Sequence, residues 1–260
     1  MYLISHLNIT LISILQIKMR LIKLNTVAST NDFLKELSKS ESLPDYTTVI
    51  AENQTKGRGQ FGASWQSESG KNLILSLFVK DLNLPVGQVY SLTVCVATAV
   101  ANSLIKLNVP DVSIKWPNDI MSDNKKLGGI LIENSFRGTE VDQSVIGIGL
   151  NVNQTAFHDL PHASSLKVIC DADFDIDSIR NAITASIKEN IGMLRSGKSG
   201  KIWDEYKSLL FKKDVETQFT ADGNSFMGII SDVTEEGLLE VAVESEGIKR
   251  FSLKQVTMIY

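Results

Sequence analysis

The chain has 260 residues, of which 43% are hydrophobic and 22% charged, and this balance argues against a disordered or fibrous protein. Its 26 basic and 30 acidic residues give a net charge of −4, so no overall positive charge attracts nucleic acid or anionic membranes. Two cysteines, Cys95 and Cys170, and three scattered histidines supply neither a disulfide framework nor a zinc ligand set. A reducing cytoplasm is therefore the expected compartment.

Residues 1–18 form an apolar stretch that polar residues interrupt, too short for a membrane span and without the features of a secretory signal. We expect an extension outside the fold, with a natural start at Met19; an added strand or a membrane-associating segment is the alternative. From Ser29, which opens a capping box of the form S-x-x-D, the pattern predicts helices and strands. In chain order they are a helix from Ser29, strands at 47–51 and 72–79, a helix at 88–107, strands at 113–116, 126–133 and 145–153, helices at 177–194 and 201–210, and several short strands in an all-β tail at 215–260.

The first chemical signal is the glycine-rich sequence from Gly57 to Gly62, which matches G-x-G-x-x-G. A dinucleotide-binding turn must lead directly into a helix, whereas this sequence leads into a polar stretch and then a strand, so we reject the Rossmann interpretation. A flexible loop carrying Arg58 remains, and it could close over an anion. The alternative is a plain surface hairpin. Trp65, just beyond the loop, is either a core residue or an aromatic residue on which a purine stacks.

The second signal is Lys115-Trp116-Pro117-Asn118-Asp119, followed after a short turn by Lys126-Leu127-Gly128-Gly129. Pro117 keeps Trp116 out of the helical region, so we expect the strand to end there and Asn118 and Asp119 to lie on a turn. A carboxylate and Lys126 across one hairpin could bind a metal–phosphate group. An exposed salt bridge beside a glycine bulge is the alternative.

A third signal is the alternation of glycine and apolar residues from Gly147 to Asn153, which indicates a strand that a ligand or another chain segment can approach closely. Simple packing against the long helix explains it equally well. In this order, the segments resemble those of the biotin protein ligases. The matching segments are Ser29-Thr30-Asn31, Gln54 with Gly57-Arg58-Gly59, Trp65, the Lys115–Asp119 segment, Lys126-Leu127-Gly128-Gly129-Ile130-Leu131 and the Gly147–Asn153 segment.

The resemblance implies an α+β fold: a biotin/lipoate ligase-like catalytic domain with a mixed, mainly antiparallel sheet at 19–212, and a C-terminal SH3-like β-barrel at 213–260. It also implies an ATP-dependent ligase that forms biotinyl-5′-AMP and then transfers biotin to a lysine of a biotin carboxyl carrier protein. ATP and Mg²⁺ would be required. The expected partners are that carrier and the small molecules, with neither nucleic acid nor membrane, and the chain would be a monomer or a homodimer.

The resemblance also assigns residues. Lys126 and Arg58 would be catalytic, Lys126 lying between the biotin carboxylate and the α-phosphate. Biotin would be bound by Ser29, Thr30, Asn31, Gln54, Gly57, Arg58, Lys126, Gly129 and Gly149. The nucleotide would be bound by Arg58, Trp65, Lys115, Asn118, Lys126 and Asn151, and Asp119 would hold Mg²⁺ through phosphate.

Two departures from the family pattern stand out. Some members carry a second loop arginine where this chain has Gln60, and bifunctional members begin with a DNA-binding domain, for which the 28 residues before Ser29 are too few. DNA binding is therefore not expected. The alternatives are a lipoate-protein ligase, whose motifs differ, an octanoyltransferase, which would need Cys95 to be reactive, and a non-catalytic biotin or nucleotide sensor.

Overall fold

The computed structural model describes residues 20–158, 160–244 and 246–260, so the predicted extension and the start at Met19 lie outside the described residues. The first elements are β1 (Leu21–Val27), α1 (Thr30–Ser40), β2 (Thr48–Gln54), β3 (Leu73–Pro85), α2 (Tyr90–Lys106), β4 (Val112–Lys115), β5 (Asp119–Ser122), β6 (Lys125–Arg137) and β7 (Glu140–Leu150). Three helices follow, α3 (Leu166–Cys170), α4 (Ile176–Arg195) and α5 (Gly200–Ser208). The last strands are β8 (Glu216–Ala221), β9 (Asn224–Val233), β10 (Leu239–Val243), β11 (Gly247–Phe251) and β12 (Thr257–Ile259).

The strands form two sheets. The larger has seven strands in the order β1-β2-β3-β7-β6-β5-β4, and the smaller has five in the order β11-β10-β9-β8-β12. Only the β1–β2 pair among the described strands is parallel, because α1 connects those two strands and short turns connect the hairpins. The prediction of a mixed, mainly antiparallel sheet is confirmed, and the all-antiparallel C-terminal sheet is compatible with the predicted SH3-like domain.

The main core lies between the larger sheet and helices α2, α4 and α5. Most of α2 is buried, including Val94, Cys95 and Val100, and each fully buried apolar side chain of this size contributes about 1.5–3 kcal/mol. Val86–Lys106 is long and apolar enough to cross a membrane by length and composition, and 67% of its apolar window is buried inside the protein. The length and apolar composition of this helix are therefore explained by its place in the protein core.

The structure differs from the predicted elements at several points. The strands β1 and β5 and the short helix α3 were not predicted, and β3 continues to Pro85, beyond an irregularity in its pairing with β7. The expectation that Asp119 lies on a turn is wrong, since β5 begins at Asp119, which pairs with Lys115 across a tight hairpin. A four-residue strand is too short to show a periodicity of its own, which is why the sequence did not indicate it.

Candidate active site

A cavity of about 370 Å³ lies where α1, the centre of the larger sheet and the C-terminal strands meet. Most residues that the sequence assigned to binding or catalysis line it, namely Ser29, Thr30, Asn31, Gln54, Arg58, Trp65, Lys115, Asn118, Asp119, Lys126, Gly129 and Gly149. These residues are spread over about 120 positions of the chain. The sheet brings them together because β2, β3, β7, β6 and β5 are neighbours in that order.

The N-terminus of α1 provides one neutral, polar end of the cavity. Ser29 is the N-cap, and its hydroxyl accepts a hydrogen bond from the Asp32 backbone amide at 3.4 Å, as the capping box predicted. The Thr30 backbone amide donates to Gln54 Oε1 at 2.8 Å, and the Thr30 hydroxyl lies 3.1 Å from the same oxygen. Because a backbone amide can only donate, the orientation of the Gln54 amide is settled, and no described residue accepts from Nε2. Nε2 is therefore the group that Gln54 can offer to a ligand carbonyl.

Asn31 is held on every side by the protein. Its Nδ2 donates to Glu133 Oε2 at 2.9 Å and to the Leu131 carbonyl at 3.3 Å, and its Oδ1 accepts from the Ser76 hydroxyl at 2.6 Å. It also packs on β7 at Gly147, where an added Cβ would lie 2.5 Å from Asn31 Oδ1. Both amide hydrogens are thus used within the protein, so Asn31 shapes the cavity wall more than it donates to a ligand.

Trp65 lies against the next glycine of the same strand. A Cβ on Gly149 would lie 2.4 Å from Trp65 Cε2, so glycine is required for the indole to rest on the sheet. The indole is half-buried, and its buried Nε1 makes no hydrogen bond to any described residue. The expected close approach at the Gly147–Asn153 strand is therefore present, and it is made by Asn31 and Trp65, which form the wall of the cavity, and not by the long helix.

The glycine-rich loop forms a hairpin, as the alternative interpretation expected, but its residues Arg58–Phe61 line the cavity, so it is more than a plain surface hairpin. Gly59 N donates to Ala63 O at 2.7 Å, and Trp65 N donates to Gly57 O at 2.9 Å. Arg58 projects from this hairpin to Asp32 and Glu133, with Nη2 at 2.6 Å and 2.9 Å from their carboxylate oxygens. At the tip, the Lys254 ammonium lies 4.3 Å from the centre of the Phe61 ring, which joins the loop to the C-terminal strands.

Lys126 and Asp119 form an ion pair in the cavity wall, with Nζ 2.6 Å from Oδ1. A β-bulge between β5 and β6 places Gly129 opposite Asp119, and an added Cβ there would lie 3.6 Å from both charged groups. The salt bridge beside a glycine bulge is thus present, and it lies in the cavity where the first interpretation placed a phosphate. Hydrogen bonds from Lys126 N to His162 O and from Ser164 N to Lys126 O fix the backbone on its outer side.

Lys115 lies beside this pair and contacts the C-terminal strands. Its Nζ is 3.4 Å from the Tyr260 hydroxyl and 4.5 Å from the centre of the Tyr260 ring. Burial lowers the pKa of Lys115, and the nearby Asp119 carboxylate partly opposes that shift. The neighbouring Trp116 donates from Nε1 to the Gly237 carbonyl at 3.0 Å. The KWPND segment is therefore held between the two sheets.

Two predicted site residues do not line the cavity. Gly57 is buried in the loop hairpin, where a Cβ would lie 2.3 Å from the Trp65 carbonyl oxygen. Asn151 is buried behind the wall, and its Nδ2 donates to the Ser164 carbonyl at 2.9 Å. Both residues support the site through the backbone, and contact with a ligand stays a prediction for them.

The structure adds residues that the sequence did not indicate. Glu133 on β6 and Ser76 on β3 do not line the cavity themselves, but both form hydrogen bonds with Asn31, which does. Residues from the C-terminal strands also line the cavity, namely Phe219, Leu239, Leu253, Lys254, Val256, Thr257 and Met258. Alternation within β6 could have identified Glu133 as a polar residue on one face, but its partners lie about 100 positions away in the chain.

The remaining candidate for covalent chemistry is Cys95. It is fully buried in α2, and its Sγ lies 3.8 Å from the Asn190 carbonyl oxygen. Burial raises the pKa of Cys95 to about 12, so the thiolate that a nucleophile requires does not form near neutral pH. Cys95 is also absent from the cavity lining. These observations argue against the octanoyltransferase alternative.

Comparison with known proteins agrees with this geometry. The model of the biotin/lipoate A/B protein ligase family matches residues 24–151. The biotin–[acetyl-CoA-carboxylase] ligase of Mycobacterium tuberculosis is 31% identical over 217 residues, which cover 81% of this chain and 79% of that protein. The solved structure of biotin protein ligase from Aquifex aeolicus in complex with biotin and ATP superposes with a TM-score of 0.78 and 26% identity, covering 92% of this chain and 98% of that one.

The bifunctional ligase/repressor BirA of Bacillus spizizenii is 36% identical over 134 residues, 52% of this chain. That match covers 41% of the relative, and the match to the Bacillus subtilis protein covers 39%, so the chain spans about two fifths of these bifunctional relatives. The family match contains α1, the glycine-rich loop, the KWPND segment and Lys126. The chain belongs to the biotin/lipoate A/B protein ligase family and has the fold of the biotin protein ligases.

Proposed function

We propose that this protein is a biotin protein ligase, which joins biotin to AMP at the expense of ATP and then transfers biotin to a lysine of a biotin carboxyl carrier protein domain. The observation that carries the proposal is the Lys126–Asp119 pair in one cavity with the polar groups of Ser29, Thr30 and Gln54. The names of the mycobacterial and Aquifex proteins support the same activity.

The first step joins two anions, which explains the need for Lys126. An oxygen of the biotin carboxylate attacks the α-phosphorus, and the bond to the leaving pyrophosphate breaks. At about 4 Å and an effective dielectric near 20, the two anionic groups repel each other by on the order of 4 kcal/mol. A cation placed between them lowers this barrier directly. Asp119 keeps the Lys126 ammonium in position at 2.6 Å before the substrates arrive.

In the second step the lysine amine of the carrier attacks the acyl carbon of biotinyl-AMP, the bond to AMP breaks, and the amine loses a proton. The described residues offer no thiol at the site, and the two reaction steps need no covalent intermediate with the enzyme. Arg58 lies on the loop that lines the cavity and would hold the mixed anhydride until the carrier binds. AMP and the biotinylated carrier are the products.

The polar end of the cavity suits the ureido ring of biotin. That ring is neutral, with one carbonyl acceptor and two N–H donors that need partners when buried. Gln54 Nε2 and the hydroxyls of Ser29 and Thr30 supply them, and Gly129 and Gly149 line the same cavity. The indole of Trp65 would stack on adenine, and Lys115 and Asn118 would bind the phosphates, with Asn118 already fixed by donating to the Ile130 carbonyl.

Mg²⁺ fits this site only with help from the nucleotide. Among the described residues, no group of three or more His, Cys, Asp or Glu is arranged to hold a metal ion. Mg²⁺ commonly binds through one or two carboxylates together with substrate phosphates, and Asp119 supplies one carboxylate beside the phosphate-binding lysines. Bound there, Mg²⁺ would neutralise phosphate charge.

The organisation of the protein is part of the proposal. We place the catalytic domain at 19–212 and the SH3-like domain at 213–260, and the protein in the cytoplasm as a monomer or homodimer. The carrier domain, biotin and ATP are its partners, with neither nucleic acid nor membrane. The net charge of −4 supports the absence of nucleic acid among the partners, and a cavity of about 370 Å³ is of a size that small molecules occupy.

Pyrophosphate release tests the proposal. The protein should release pyrophosphate from ATP when biotin is present, and label a purified carrier domain with biotin when that domain is added. A non-catalytic sensor would bind biotin or ATP without releasing pyrophosphate. A lipoate ligase would respond to lipoate in place of biotin. Either result, from folded protein, would refute the proposed function.

A further inference from the structure

Glu133 is the centre of a four-residue charged cluster beside the cavity, and it bonds to two residues that line the cavity, Asn31 and Arg58. Its Oε2 accepts from Asn31 Nδ2 and from Arg58 Nη2, each at 2.9 Å, and its Oε1 accepts from Lys35 Nζ at 3.0 Å. One carboxylate therefore joins helix α1, strand β6 and the glycine-rich loop. The cluster contains two cations and two anions, since Arg58 also pairs with Asp32.

Burial distinguishes the two carboxylates that bind Arg58. The Glu133 side chain is 19% exposed and that of Asp32 is 51% exposed. Water and salt screen an exposed pair strongly, so the half-buried Glu133 is the firmer partner. Burial alone would raise the pKa of Glu133, but hydrogen bonds from Asn31 and Lys35 and the charge of Arg58 outweigh it and lower the pKa. Glu133 is therefore ionised at neutral pH and available to both partners.

We propose that Glu133 is a positioning residue that holds the glycine-rich loop over the cavity, through Arg58, and at the same time fixes Asn31 in the cavity wall. This rests on the proposed function, in which that cavity binds biotin and its adenylate. The partner that Glu133 holds on the loop is the guanidinium of Arg58, and the partner on the wall is the Asn31 amide. Loss of the Glu133 charge should therefore release the loop and loosen the biotin end together.

Limited trypsin digestion tests the loop without requiring any enzymatic activity. Trypsin cuts after Lys56 and Arg58 in the loop, and after Lys198 in the turn between α4 and α5, which serves as an internal reference. E133Q keeps the shape and a hydrogen-bond acceptor but loses the charge. We expect cleavage in the loop to be about fivefold faster or more, with cleavage after Lys198 unchanged, because a lost ion pair exposes the loop.

Steady-state kinetics tests the effect on the substrate. E133Q should raise the KM for biotin by about tenfold and change kcat by less than about threefold, since Glu133 touches no reacting atom. Biotinyl-AMP should also dissociate faster from the variant. D142N is the matched control, because Asp142 pairs with the exposed Arg137 at the far end of the same strands. It should change neither the loop cleavage nor the KM.

If E133Q fails to fold, the cause would be the two cations left without their shared carboxylate. The double variant K35Q/E133Q removes one charge of each sign, and we expect the same faster loop cleavage from it. Unchanged loop cleavage and an unchanged KM for biotin in a folded variant would overturn the role of Glu133. Wild-type protein that releases no pyrophosphate would instead refute the proposed function, and the trypsin result would still decide whether Glu133 holds the loop.

Discussion

Replacing Lys126 by methionine should abolish most of the adenylation activity while leaving the fold intact. Methionine keeps a flexible, unbranched side chain of similar length and removes only the charge. The Lys126–Asp119 pair is partly exposed, with side-chain exposures of 36% and 20%, so its loss should cost about 1 kcal/mol of stability or less. The effect on the reaction should be much larger.

The magnitude follows from the charges that the reaction brings together. The biotin carboxylate and the α-phosphate repel by about 4 kcal/mol at about 4 Å, and Lys126 is placed to offset most of that. Without it, the Asp119 carboxylate remains unpaired and adds to the repulsion. Loss of a single positioned electrostatic group commonly costs about 3–4 kcal/mol in the transition state, which corresponds to a fall of about 100-fold to 1,000-fold in kcat/KM.

The assay is pyrophosphate release at saturating ATP and varied biotin, with circular dichroism to confirm the fold. Lys125→Met is the matched control, because Lys125 is adjacent and also half-buried, but its Nζ donates to the Pro161 carbonyl and it does not line the cavity. That variant should retain nearly full activity. Near-normal pyrophosphate release by folded K126M, or an equal loss in K125M, would refute the reasoning.

Gly149→Ala should weaken ATP binding about tenfold or more, measured by calorimetry, because its Cβ would lie 2.4 Å from the Trp65 ring and displace the indole proposed to stack on adenine. Gly192→Ala, where the added Cβ meets nothing within 4 Å, is the control. Trp65→Leu should raise the KM for ATP about tenfold and Trp65→Phe by less than about fivefold, since stacking needs only an aromatic face; equal effects would contradict stacking. Burial lowers the pKa of Lys115, so its ammonium should lose its charge, and the KM for ATP should rise, at a pH below the ordinary lysine pKa of 10.5. A KM that does not change with pH in Lys115→Arg would identify Lys115 as the titrating group. The pKa of Glu133 is lowered in the folded state, so as the pH falls the unfolded state binds the proton first, and the stability that this carboxylate contributes is lost. The difference in unfolding free energy between wild type and E133Q, measured by urea unfolding, should therefore shrink as the pH falls below 4.5.

The sequence predicted the features that depend on neighbouring residues. The capping box at Ser29, the long apolar helix α2 and the β-rich tail all appear close to the expected positions. The pairing of Lys126 with Asp119 also follows from local sequence, because the two residues lie across one hairpin. Periodicity and turn chemistry act over a few residues, so they report such features well.

Features that depend on distant residues were not predictable in the same way. The assignment of Glu133 required knowing that β6 passes beside α1, about 100 positions earlier in the chain. Contributions from residues 253–258 required the docking of the second sheet on the first. Gly57 and Asn151 are a different case. Their motifs predict ligand contact, which stays a prediction, and the structure places Gly57 against the Trp65 carbonyl and Asn151 against the Ser164 carbonyl. A sequence motif indicates that a residue is important, but it does not show which groups that residue contacts.

The C-terminal strands complete the cavity, so a domain defined by its own sheet is not the same as a domain that contains a whole site. The proposed boundary near residue 212 separates the two sheets, yet residues from both sides of it line the cavity, since Tyr260 contacts Lys115 and Leu253, Lys254 and Val256–Met258 are lining residues. The boundary for folding and the boundary for catalysis therefore fall at different places. Exchanging the tail with that of a relative would exchange part of the substrate site, and a chimera assembled at the fold boundary would inherit its nucleotide affinity from both parents.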